Sequence, residues 1–286
     1  MINVGIIGSG NIGTDLLLKS LKTNFINPII FCGRRMDSEG IQLAQKKGIQ
    51  VSADGISFFK NNHSKIDLVY DCTNAAEAKI HADIFKQLGI KVIDLTPSKV
   101  GVMCVPEVNP DIILSENNVN LITCGGQASI PLLQVIAEEA IGLNYIEVVS
   151  QAASKSAGLA TRVNVDNYIE TTQNAITQFT GCANNKVILN LNPAEPCVDM
   201  QTTIFFECKH IDLDLISQKI NEKIFNIKKY IPFYDLIIAP TLKETGVFVL
   251  CVRIRSTGDY FPPYAGNLDI INCAAIKLTQ ILADFK

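Results

Sequence analysis

The 286 residues contain no tryptophan, only three histidines and no Cys-x-x-Cys pair. The histidines (His63, His81, His210) are scattered without ligand spacing, so no metal site is expected. Charge is also sparse: charged residues make up 19% and the formal net charge is −3. Such a balance supplies neither the basic footprint of a nucleic-acid binder nor a polybasic membrane patch. No run of about 18 apolar residues occurs, which excludes a membrane-spanning helix. The opening Met1-Ile2-Asn3-Val4 lacks the basic stretch and cleavable apolar segment of a signal peptide. The expectation is a cytoplasmic protein that engages no nucleic acid and no membrane.

What is present is material for a core: 48% of residues are hydrophobic. At roughly 150 residues per domain, the length suggests two domains. The nine cysteines are odd in number and mostly lie in apolar runs, as Cys251 does in Val249-Leu250-Cys251-Val252. There cysteine acts as a small core hydrophobe, and a disulfide framework is not expected.

The first half alternates short apolar runs with helical patterns. Strands are expected at 2–7, 28–32, 68–71, 92–95 and 119–122, and helices at 12–21, 39–47, 75–88 and 130–140. Continuous apolar strands separated by helices indicate a parallel sheet covered on both faces. After about Asn144 the pattern changes. Strands are expected at 145–152, 186–192, 203–207, 236–238 and 247–254, with helices at 163–179 and 213–225, an α+β layer. Helical spacing returns from Ala265 to Phe285. The reading is α/β: a doubly wound parallel sheet over 1–144 with a returning helix at 265–286, plus a second α+β domain over 145–264.

Gly8-Ser9-Gly10-Asn11-Ile12-Gly13 follows the first strand and opens a helix. The first glycine suits the tight turn, the second the approach of a diphosphate, and the third close helix–strand packing. The helix N-terminus then offers free N–H groups to the diphosphate. This is the dinucleotide-binding turn of a Rossmann-type domain, with Gly8, Ser9, Gly10, Asn11, Ile12 and Gly13 as cofactor residues. At the end of the second strand an acidic residue would bond the ribose 2′-OH, whereas arginine accommodates a 2′-phosphate. Cys32-Gly33-Arg34-Arg35 stands there, so Arg34 and Arg35 favour NADP over NAD, two solvated loop arginines being the alternative.

Ile122-Thr123-Cys124-Gly125-Gly126-Gln127-Ala128 joins a strand to a helix. A cysteine there faces backbone N–H groups and the positive end of a helix dipole, both of which favour thiolate. The same N–H groups can hold an oxyanion. Cys124 is the candidate nucleophile, and Gln127, one turn on, a candidate for polarising a carbonyl.

These segments, with Asp94-Leu95-Thr96-Pro97, Ser154-Lys155-Ser156-Ala157-Gly158, Asn192-Pro193-Ala194-Glu195-Pro196 and Tyr264-Ala265-Gly266-Asn267-Leu268-Asp269-Ile270, resemble the acylating, CoA-dependent acetaldehyde dehydrogenases nearly end to end. The resemblance implies an architecture similar to glyceraldehyde-phosphate dehydrogenase. It also implies oxidation of a short aldehyde to acyl-CoA through a Cys124 thioester, or the reverse reduction. NADP or NAD would be cofactor and coenzyme A co-substrate, in a homo-oligomer partnered by an aldolase. Ser156, Ala157, Gly158, Thr161, Arg162, Asn164 and Asn267 match the family's further cofactor segments, Asn267 reading equally well as an N-cap.

The chain departs from that family in several places. Arg35 stands where the family has Asp, and Thr202 where it has an Asp proposed as base; Asp199 or Glu195 are the possible substitutes. The family's insertion between Tyr234 and Val247 is shortened, and Leu159 and Ala160 replace Pro and Gly. These leave the aldehyde and the aldolase open. Two rival readings stand beside the enzyme: a non-catalytic NAD(P)-binding regulatory protein, and a phosphorylating semialdehyde dehydrogenase, which would pair its cysteine with a histidine.

Overall fold

The structure, a computed structural model, describes residues 1–158, 161–162 and 164–286. Leu159, Ala160 and the expected helix start at Val163 lie outside the described residues. Two compact units emerge, one of residues 1–121 with 271–286 and one of residues 122–270.

The first unit runs β1 (Ile2–Ile7), α1 (Asn11–Leu21), β2 (Ile26–Cys32), α2 (Glu39–Lys46), β3 (Gln50–Ser52), α3 (Ile56–Asn61), β4 (Leu68–Asp71), α4 (Ala75–Gln87), β5 (Lys91–Asp94), β6 (Val102–Met103), α5 (Ile112–Ser115) and β7 (Asn118–Asn120). Its sheet has the order β3-β2-β1-β4-β5-β7-β6, and every neighbouring pair is parallel. Parallel strands must be buried on both faces, and all four residues of β4 are buried. Ile7, Ile30, Val69 and Val92 from four strands pack with Phe59 of α3 and Phe85 of α4, whose rings meet edge to face at 5.4 Å. The strand order reverses between β2-β1 and β4, the switch point where such sheets bind ligands beyond their C-terminal ends.

Asp71 and Asp94 lie side by side in register at the ends of β4 and β5, both buried. Asp71 accepts from Thr73 N–H and pairs with buried His81 at 2.7 Å. Asp94 accepts from Thr96 N–H at 2.7 Å, from Asn120 Nδ2 at 3.0 Å and from Ser98 Oγ. These carboxylates brace their own turns; Asn74, not Asp71, caps α4. Burial, reinforced by the neighbouring charge of Asp71, pushes Asp94 up to about 7.

The second unit contains α6 (Cys124–Glu139), β8 (Tyr145–Ala153), α7 (Val165–Thr180), β9 (Asn185–Asn192), β10 (Met200–Glu207), α8 (Leu213–Ile227), β11 (Tyr234–Leu242) and β12 (Phe248–Ile254). Its sheet, β11-β12-β10-β8-β9, is mixed: β8 and β9 run parallel, the other pairs antiparallel. The strict alternation of β10 buries Met200, Thr202, Ile204 and Phe206 on one face of that strand. α9 (Gly266–Asp284) closes the chain, its opening turn counted with the second unit and the rest with the first. Within the first unit Asn272 of α9 donates to Ile12 O at 3.1 Å and to buried Asp15 Oδ2 at 2.7 Å.

The longer elements fall close to their expected positions. β3, β6, α3 and α5 were not foreseen, being too short to display a period. The helix expected from Ile130 starts at Cys124. α6 packs on α7, α8, β8 and β10 and is therefore compact with the second unit, which begins at Ile122, ahead of the change in strand–helix pattern expected after about Asn144.

Two stability tests follow. Asn272→Ala removes a buried bond to a carboxylate and is expected to lower unfolding free energy by about 1.5–3 kcal/mol, read from urea midpoints. Asp94 binds its proton more tightly folded than unfolded, so its contribution is full below about pH 4 and falls as pH rises towards 7. The urea midpoint of Asp94→Asn should accordingly fall less than that of the parent between pH 5 and pH 7.5.

Candidate active site

β1 turns into α1 through the glycine-rich segment. Gly8 has a φ of 110°, and a Cβ there would lie 2.5 Å from the Cys72 carbonyl oxygen at the end of β4. Only glycine satisfies both demands. A Cβ on Gly13 would lie 2.0 Å from Gly8 O, so α1 seats directly on the turn. A Cβ on Gly10, in contrast, would meet nothing within 4 Å. That open side adjoins a helix start with no side-chain cap and no acid in its first turn. Free N–H groups with room in front of them suit a diphosphate. Ser9 is tied to the segment after β2 by a 3.1 Å bond with Ser38 Oγ.

Arg34 and Arg35 are both exposed on that segment. They differ in one respect that their adjacency hid. Arg35 makes a two-pronged pair with Asp37, at 3.0 Å through Nε and 2.8 Å through Nη2. The side-chain bond holds the Asp37 carboxyl below its usual range and raises the guanidinium. The Arg34 fork has no such partner among the described residues.

In the second unit, Ser154–Ser156 forms a single 3-10 turn. Arg162 braces it, donating to Ala157 O at 3.1 Å and to Ser154 O at 2.9 Å. Asn267, expected as an N-cap or a cofactor contact, is the second residue of α9 and so caps nothing. It is buried, reaches Ser156 O with Nδ2 at 3.5 Å, and leaves its Oδ1 without a partner. A buried, unpaired acceptor beside Ser156 fits a ligand with hydrogen-bond donors. Asn164 precedes α7 as its N-cap residue without a side-chain cap bond; Thr161 is partly buried, Ala157 buried and Gly158 exposed.

Cys124 is the first residue of α6. Thr123 caps that helix, accepting from Gly126 N–H at 2.9 Å, and is joined to Thr172 of α7 at 2.8 Å. Thr172 in turn donates to Tyr168 O at 2.7 Å. The Cys124 thiol donates to Tyr168 Oη at 3.8 Å. Sequence reasoning expected the helix terminus to yield a thiolate. The backbone N–H groups of Cys124 and Gly125 and the Tyr168 hydroxyl do pull in that direction, yet burial outweighs them and pushes the thiol up to about 11. The residue as a whole keeps partial access to solvent while its sulfur is packed, and the upward direction follows from the sulfur.

The substitutes proposed for the base are elsewhere. Glu195 pairs with Lys155, and Asp199 lies 4.0 Å from Arg253. Neither acts on the thiol, and no histidine does. Thr202 is buried in β10 opposite Ser150 of β8, their hydroxyls 3.2 Å apart. Gln127 is buried on the same helix as Cys124. Tyr168 and Ser150 were missed, because nothing local in the sequence marks either one. All nine cysteines are free, and no helix of the described residues is long and apolar enough to cross a membrane.

Residues 124–262 match the family of prokaryotic acetaldehyde dehydrogenase dimerisation domains, and residues 3–115 match the semialdehyde dehydrogenase NAD-binding domain. The chain is 48% identical to an acetaldehyde dehydrogenase of Spirochaeta aurantia over 98% of its own length and 94% of the relative's. It is 44% identical to an acetaldehyde dehydrogenase of Pectobacterium atrosepticum over 100% and 97% of the two. The fold is similar to that of aspartate semialdehyde dehydrogenase II from Vibrio cholerae, solved in complex with ASA, with a TM-score of 0.65, 14% identity and 99% of each chain covered. A dinucleotide turn, a cysteine at the first position of a helix and relatives that align from end to end converge: the chain belongs to the acetaldehyde dehydrogenase family and is an acylating aldehyde dehydrogenase, a nicotinamide-dependent oxidoreductase.

Proposed function

We propose that Cys124 is the nucleophile of this enzyme, that a short aldehyde and coenzyme A are its substrates, and that NADP is its preferred cofactor. The observation that carries this reading is the placement of Cys124 at the first position of α6, its sulfur facing backbone N–H groups and the Tyr168 hydroxyl. Cys124 Sγ adds to the aldehyde carbon, giving a thiohemiacetal. The N–H groups of Cys124 and Gly125 are positioned to stabilise negative charge developing next to the sulfur. In the first unit Ser9 to Ile12 would hold the diphosphate of a nicotinamide cofactor, which would supply the hydride acceptor. Loss of hydride leaves an acyl thioester on Cys124, which the CoA thiol then attacks, restoring the cysteine. Splitting the transfer at a covalent stage replaces one high barrier with two lower ones, and every step is reversible, so the acyl-CoA reductase direction uses the same residues.

The NADP preference rests on Arg34. Its guanidinium is exposed and, among the described residues, unengaged, whereas Arg35 is occupied by Asp37. A 2′-phosphate suits the free fork. The dimerisation-domain match supports a homo-oligomer, and β11, an edge strand exposing Ile237, Ile238 and Leu242, is the surface we assign to it. An aldolase releasing the aldehyde is the partner class proposed, meeting a connection that spans only the few residues between Leu242 and Phe248. Nine free cysteines, one of them catalytic, suit a reducing cytoplasmic compartment.

Two measurements test the reading. Cys124→Ala should lose CoA-dependent nicotinamide reduction by a factor of about 10⁴ or more while still binding cofactor; turnover close to that of the parent sinks the nucleophile. Arg34→Ala should raise the KM for NADP about tenfold and leave that for NAD nearly unchanged, since a phosphate contact to a charged donor contributes about 1.5–3 kcal/mol. A parent enzyme that prefers NAD would overturn the assignment.

A further inference from the structure

We propose that Tyr168 is a catalytic residue: its hydroxyl takes the proton of Cys124 Sγ and delivers its own proton to the aldehyde oxygen, with Ser150 and Thr202 holding it in place. The proposal rests on Cys124 being the nucleophile.

The geometry begins at Gly125. A Cβ on that residue would lie 2.1 Å from Tyr168 Oη and 2.6 Å from Ser150 Oγ. The absence of a side chain therefore lets two hydroxyls stand against the first turn of α6, next to Cys124. The thiol already donates to Tyr168 Oη at 3.8 Å. Tyr168 is bonded in turn to Ser150 and faces the N–H of Gly125. Ser150 is bonded to Thr202 at 3.2 Å, and the two are register partners on adjacent strands. All three hydroxyl residues are buried, and Thr202 is 0% exposed. The phenol thus has a fixed direction rather than free rotation. α7, which carries it, is locked to the cap of α6 through Thr172 and Thr123.

Thiohemiacetal formation needs no net base. The Sγ–C bond forms, and the π pair of the carbonyl moves onto its oxygen. The Sγ–H proton passes to Tyr168 Oη as the Oη–H proton passes to that oxygen. Tyr168 is a neutral phenol before and after, and no charge is created in the buried site. That matters because burial disfavours both candidate anions, raising the thiol and the phenol alike. A separated ion pair there would carry its desolvation penalty unrepaid. A concerted exchange through one hydroxyl avoids it. It also accounts for a threonine at 202: a site that exchanges protons through a neutral phenol requires hydroxyl partners to orient that phenol, not a carboxylate to accept a proton.

The test is Tyr168→Phe, which keeps the ring and deletes Oη, with Ser150→Ala and Thr202→Val beside it. Tyr168→Phe should lower kcat/KM for the aldehyde by about 10²-fold or more, with the cofactor KM and the thermal midpoint close to those of the parent. The solvent deuterium isotope effect on kcat/KM should report two protons in flight in the parent and lose that signature in Tyr168→Phe. Thr202→Val, which loosens the phenol without removing it, should lower kcat/KM by a smaller factor and retain the isotope signature. If Cys124→Ala is inactive but Tyr168→Phe matches the parent in kcat/KM and isotope effect, the role of Tyr168 is overturned and the nucleophile stands. If Cys124→Ala remains active, both fall together. Should Tyr168→Phe fail to fold, Ser150→Ala and Thr202→Val decide: parental kcat/KM in both overturns the proposal, and a loss in both supports it.

Discussion

Thr123 bonds in two directions, and the arrangement of the catalytic unit follows from it. Its Oγ1 accepts from Gly126 N–H, ending the approach strand and starting α6 at Cys124. The same atom is joined to Thr172, whose hydroxyl is committed to Tyr168 O, so Thr123 is the donor of that pair. One side chain therefore sets where the helix begins and which turn of α7 lies beside it. As a cap alone it contributes about 1 kcal/mol. Its positional effect is larger, because the cysteine, the helix N–H groups and the tyrosine hydroxyl acquire fixed distances from it.

Within that arrangement two effects compete for the Cys124 proton. A helix terminus typically favours an adjacent anion by about 0.3–1 kcal/mol. A thiol moved from its ordinary 9.0 to about 11 has its thiolate disfavoured by roughly 3 kcal/mol. Burial wins, and it wins even with the Tyr168 hydroxyl assisting the helix. Cys124 therefore rests as a thiol, the form less open to alkylating and oxidising agents that attack thiolate. Such protection has a consequence for chemistry: the proton must leave at the moment of attack, which makes the group touching the sulfur matter more than any remote charge.

The sequence disclosed the site unevenly, and the reason is range. Gly8 and Gly13 were legible because the turn itself demands them, a positive φ at Gly8 and a helix seated on the Gly8 carbonyl at Gly13, whereas the approach of Gly8 to Cys72 of the distant β4 end was not. The long buried strands were legible through their unbroken apolar runs, while β3, β6, α3 and α5 fell below the length at which a period can be seen. Cys124 was legible as a strand-end cysteine before two glycines. Its environment was not, since Tyr168 lies 44 residues away and Ser150 and Thr202 meet only through sheet register. Arg34 and Arg35 looked equivalent in one dimension; a side chain two residues further on, Asp37, separates them.

The neutral shuttle proposed for Tyr168 serves both directions of the reaction. By microscopic reversibility, the hydroxyl that gives a proton to the aldehyde oxygen retrieves it when the thiohemiacetal collapses in the other direction. Under that proposal the phenol ends each passage as it began, and, as with any catalyst, the balance between oxidation and reduction is set by the reactants. Direction is then left to what occupies the dinucleotide turn and in which redox form. Beside that turn the cofactor proposal rests on the exposed fork of Arg34, since Arg35 is engaged by Asp37.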